Sequence, residues 1–109
     1  MTKPPAVATL LAVAALAVTP ALAQTLSAAD QADGRCVAAM MAMSEKSKGS
    51  DKAAFDSSMM YFLGKLAGRS GKTAVGPAIG AAAVSVTEAN AATTAERCAT
   101  EIEATTNAM

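Results

Sequence analysis

The stretch FDSSMMYFLGKLAGRSGKT, residues 55–73, decides between two folds. Its last six residues, GRSGKT, close like a nucleotide-binding P-loop, which belongs between a strand and a helix of an α/β sheet. Its first half says otherwise. Phe55, Met59, Phe62 and Leu66 recur at i, i+4, i+7 and i+11, the period of an amphipathic helix. The P-loop pattern also needs a glycine five residues before Gly71, where Leu66 stands, and a strand where this helix runs. No nucleotide is therefore expected. Residues 68–76, with three glycines, read as a loop, and Arg69 and Lys72 as solvated cations beyond the helix.

Working outward, Cys36, Met40 and Met43 share a face on a preceding helix over 30–47, widened by Val37 and Met41. Ser27 can cap it against Asp30, Gly34 weakens its early turns, and Lys46 and Lys48 lead to a stop at Gly49. Ser50 or Asp51 suits the cap of the second helix. Gly64 and Gly68 lie four apart on that helix, either for close approach of a neighbour or simply tolerated. Pro77 fits the first helical position of a third segment, 78–90, with Ile79, Ala82 or Ala83, and Val86 as its apolar stripe. Thr93 and Glu96 make a capping box for a fourth helix over 94–105, where Cys98 and Ile102 share a face and Glu101 and Glu103 look outward. One continuous helix over 78–105 is the alternative.

The expectation is all-α: a small three- or four-helix array with one disulfide. Its core is Met40, Met43, Phe55, Met59, Phe62, Leu66, Ile79, Val86 and Ile102, with the second helix packed across the first and the last.

The N-terminus reads differently. Lys3 precedes an apolar run from Ala6 to Val18, Pro20 follows, and Ala21-Leu22-Ala23 offers a small-x-small cleavage site. That order is a secretory signal peptide over 1–23, leaving 24–109 as a single helical domain. Periplasm or secretion is the expected location, with membrane contact only through the leader before cleavage. From Gln24 onward eight cations face nine carboxylates, mixed along the chain, so nucleic acid is not an expected partner.

Large apolar residues are few, and alanine fills much of the rest. A core this thin needs support. Cys36 and Cys98 are the only cysteines, and export permits them to pair. Closing so long a loop is worth roughly 4 kcal/mol in the chain-entropy model.

Histidine is absent, which removes the usual general base, triad partner and zinc ligand. The serines have no activating neighbour, Glu101 and Glu103 diverge on a helix, and Glu96 with Glu103 reads as a solvated stripe. Neither enzyme activity nor a cofactor is expected. Met40, Met43, Met59 and Met60 are the weak metal candidates, since thioethers suit Cu(I). Core packing against Phe55 and Phe62 is the plainer role for them. Met41, Met60 and Tyr61 are the candidate interaction surface.

The segments YFLGKLAGR (61–69), RCVAAMM (35–41) and ERCATEIE (96–103) resemble small exported two-cysteine proteins of alphaproteobacteria. That resemblance covers 35–103; it implies a helical two-cysteine fold and carries no activity or site residues. In general layout alone the chain is similar to periplasmic acid-stress chaperones, which expose apolar surface to clients at low pH. It departs from them in its cysteine neighbourhoods and its alanine-rich third segment. The functional expectation is a non-catalytic exported protein that binds another macromolecule or supports the envelope, chaperone-like under stress. The alternatives are a Cu(I) module built on methionine, and a structural protein that pairs with its own copy as a homodimer.

Overall fold

The computed structural model describes residues 26–109. The expected signal peptide falls outside them. Among the described residues four α-helices run α1 (Ala28–Lys46), α2 (Gly49–Ser70), α3 (Val75–Ser85) and α4 (Ala91–Asn107), with a 3-10 turn at Lys72–Ala74.

Ser27 caps α1 as its spacing predicts, its hydroxyl accepting from the Asp30 amide at 3.0 Å. The helix stops at Lys46, where Ser47 turns to extended backbone and its hydroxyl donates to the Met43 carbonyl at 2.7 Å. The stop comes before Gly49, which instead opens α2 with a φ of 61°. Neither Ser50 nor Asp51 caps α2: the N-cap is Lys48, without a side-chain bond.

Residues 68–76 are not the expected loop. α2 continues through Ser70 and ends at Gly71, whose φ of 83° suits a residue without Cβ. The 3-10 turn follows, and α3 begins at Val75, so Pro77 sits inside the first turn, where a missing N–H costs nothing. The helix persists because Arg69 and Ser70, in its last turn, are tied to carboxylates on α1.

α3 and α4 are two helices. Val86 turns to extended backbone, and the Asn90 side chain holds the connection. Its Oδ1 accepts from the Thr87 amide at 2.8 Å and its Nδ2 donates to the Ser85 carbonyl at 2.9 Å. That clasp starts α4 at Ala91, before the Thr93–Glu96 capping box can act.

α1, rather than α2, organises the molecule, since it packs against each of the other three helices. Val37, Ala39, Met40, Phe62 and Ala95 are buried around the Cys36–Cys98 disulfide, which joins α1 to α4 across a Cα–Cα distance of 5.7 Å. Met43, Phe55, Met59, Ile79, Val86 and Ile102 pack half-buried against this cluster. A second, smaller cluster joins Leu26, Leu66 and Ala78, with Val75 at its edge. Gly34 makes it possible. A Cβ there would stand 2.5 Å from the Ala78 carbonyl oxygen, so α1 and α3 touch backbone to backbone. Gly64 and Gly68 have no such neighbour; a Cβ at either would meet open space.

Candidate functional site: an apolar groove and a charged clasp

α3 carries no charged residue. One side of it lies on α1, and Val84 on another side is 83% exposed. Along the line where it meets α1 a groove of about 280 Å³ opens to solvent. Ala38, Met41 and Ala42 of α1 and Ile79 and Ala83 of α3 line it, together with Val86 and Thr87 just beyond α3. Among the described residues its only charged walls are Glu45 and Glu88. Lys46 reaches Glu88 Oε1 at 3.1 Å, both side chains being well exposed. A smaller, more enclosed hollow of about 200 Å³ lies between Met43, Phe55 and the Ala92–Ala99 face of α4.

A charged cluster closes the opposite end of the α1–α2 hairpin. Asp30 and Asp33 are 4% and 3% exposed, although both are carboxylates. Arg69 bridges them: its Nε donates to Asp30 Oδ1 at 2.9 Å, and its guanidinium also donates to Asp33 Oδ2 at 2.6 Å. The Ser70 hydroxyl lies 2.7 Å from Asp30 Oδ2, and Lys65 lies between Asp33 Oδ1, at 3.2 Å, and Glu101 of α4. Three helices thus meet through five charged groups. The Ser70 hydrogen bond lowers the Asp30 pKa, burial opposes it, and Arg69 reinforces the lowering. For Lys65, burial favours the neutral amine, yet Glu101 and Asp33 outweigh it and hold the pKa above its usual value. Two sequence expectations are corrected here. Arg69 is not a free cation beyond a helix, and Glu101, although its side chain is 42% exposed, is paired with Lys65.

A second polar link sits nearer the α1–α2 turn. The buried Ser44 hydroxyl donates to Asp56, and Lys52 Nζ donates to the same hydroxyl oxygen at 2.8 Å. Among the described residues every buried side-chain polar atom has a partner.

The candidates drawn from sequence scatter. Met40 is buried in the main cluster, with Met43 and Met59 half-buried beside it, whereas Met60 stands apart and 63% exposed. Cys36, being in the disulfide, offers them no thiolate. Met41, 41% exposed, lines the groove, but Met60 does not. Tyr61 turns toward α4: its ring meets Phe62 edge to face at 4.9 Å and its hydroxyl donates to Thr105 Oγ1 at 3.2 Å. The three proposed surface residues therefore do not form one surface. Sequence reasoning missed the groove's small residues and the charged cluster. Asp30 and Asp33 did carry a signal, for they continue the Val37–Met40–Ser44 face toward the N-terminus at helical spacing.

Among the described residues no group of three or more His, Cys, Asp or Glu is arranged to hold a metal ion, and no helix is long and apolar enough to cross a membrane. Comparison with protein-family models, with curated proteins and with solved structures finds no match for this chain.

Proposed function

We propose that the protein is a non-catalytic, exported binding protein that takes an apolar stretch of another polypeptide against α1 and α3, in the manner of a chaperone or envelope-support factor. The observation that carries this reading is the uncharged α3 lying beside an open groove. A helix apolar on most sides is ordinarily enclosed in a core. Here it keeps Val84 and the groove wall in solvent. Met41 in the opposite wall suits such a surface, because an unbranched thioether adapts its shape to different apolar occupants. The disulfide fits an exported protein, since such bonds persist in oxidising compartments.

The test is suppression of client aggregation, followed by light scattering of a thermally unfolding enzyme with oxidised protein at pH 7 and pH 3. Protection is expected, and Ala83→Trp, which fills the groove from an exposed position, abolishes it. Equal scattering with and without the protein at both pH values refutes the reading.

A further inference from the structure

Resting on that reading, we infer that the groove selects basic amphipathic segments: apolar side chains enter between α1 and α3 while a lysine or arginine meets Glu45 and Glu88.

The size and shape of the groove set the class of occupant. Its volume of about 280 Å³ falls just under the roughly 300–1,000 Å³ of enclosed small-molecule sites. It is open to solvent, and it offers little polar surface for orienting a metabolite. Anchor side chains of a polypeptide fit it better. Ala38, Ala42 and Ala83 keep its walls low enough for a backbone to come close.

Charge sets the sequence of that polypeptide. Both charged side chains in the walls are carboxylates, and α3 supplies no cation to offset them. Glu45 makes no ion pair among the described residues, while Glu88 makes one, to exposed Lys46. The turn bearing Glu88 is fixed by the two Asn90 side-chain bonds, so this carboxylate is presented from a braced backbone. An occupant with a cation beside its apolar residues gains there, and an acidic one is repelled. The same sign disfavours an anionic lipid surface. Among the described residues, the exposed helix faces of a second copy set no lysine or arginine beside an apolar anchor. Its exposed Met60 lies at helical spacing from Ala53, Ser57 and Gly64, and its exposed Val84 lies on a helix without charge.

The experiment uses the oxidised protein and a fluorescein-labelled amphipathic peptide of leucine, alanine and serine with lysines at one end. A twin carries glutamates in their place. Anisotropy at pH 7 is expected to show saturable binding of the lysine peptide, weakened by added salt, with the glutamate twin bound far less. Glu45→Gln/Glu88→Gln weakens the lysine peptide by roughly fivefold, the scale of two exposed ion pairs. It leaves the thermal midpoint unchanged, since neither residue is buried. If both peptides bind alike and Ala83→Trp abolishes both, the groove binds polypeptide but the charge selection is overturned. If neither peptide binds, both readings fail. If sedimentation shows a dimer that Ala83→Trp dissolves, the groove belongs to a second copy and the inference is overturned.

Discussion

Gly34→Ala tests the contact that brings α1 and α3 together. On an isolated helix this change is favourable by about 1 kcal/mol, because glycine loses the most backbone entropy. Here the new Cβ would stand 2.5 Å from the oxygen, 2.9 Å from the carbon and 3.2 Å from the Cβ of Ala78. An ordinary C···O contact begins near about 3.3 Å, so the helices must part by about 0.8 Å. The atoms in the way are backbone and cannot rotate aside. Overpacking of this kind costs about 1–3 kcal/mol, and a rigid neighbour places it at the upper end. After the propensity gain the net loss is about 2 kcal/mol. Gly64→Ala is the matched control, also inside a helix but with nothing within 4 Å, and it should stabilise by about 0.5–1 kcal/mol. Thermal melting followed by circular dichroism should then show Gly34→Ala lower by about 10 °C and Gly64→Ala higher by a few degrees. Ala78→Gly should not rescue Gly34→Ala, since it leaves the obstructing carbonyl in place. If Gly34→Ala matches or exceeds the wild-type midpoint, the backbone contact is not there.

Replacing Cys36 and Cys98 by alanine opens a loop whose ends lie 62 residues apart. Roughly 4 kcal/mol of stability should be lost, measured by urea unfolding, and a loss under about 1 kcal/mol contradicts the chain-entropy account. Phe62→Ala, at a fully buried site, should cost about 3–5 kcal/mol in the same assay. Acid should erode stability in a defined window. Because the folded-state pKa of Asp30 lies below the ordinary 3.8, its contribution is complete above that value and is lost as the pH falls through the folded one. Lys65, held above 10.5, contributes fully below that value and loses its share as the pH rises through its folded pKa. Urea midpoints should therefore be level across neutrality and fall at both extremes. Asp30→Asn should lie below wild type at pH 7 and converge with it below pH 4. A constant gap between the two would refute the assignment.

The local code of this fold was readable where apolar residues recur at helical spacing. Cys36–Met40–Met43 and Phe55–Met59–Phe62–Leu66 announce α1 and α2, and the lone pair of cysteines announces the bond between α1 and α4. What eluded the sequence depended on partners distant along the chain. Arg69 belongs to a helix only because Asp30 and Asp33 wait across the hairpin, so glycines nearby suggested a loop instead. Gly34 looked like a weak point because local propensity penalises it, and nothing local reveals that Ala78 requires the space. Ala78, Ala82, Ala91 and Ala95 are all buried, yet alanine is too common in this chain for its spacing to mark a core. The groove lay beyond reach for the same reason. Of its two principal walls, one is a helix of small residues with no amphipathic contrast to read.

Both cysteines of the Cys36–Cys98 bridge are buried, neither being more than 9% exposed. A reductant in solution meets that bridge only when α4 lifts from α1, so thiol attack reports on how often the molecule breathes there. Crosslink lifetime in a mild reducing buffer thus becomes a clock for α4 detachment, readable by alkylation at successive times without any denaturant. Substitutions that loosen the α1–α4 seam should speed that clock before they alter any spectrum of the resting protein.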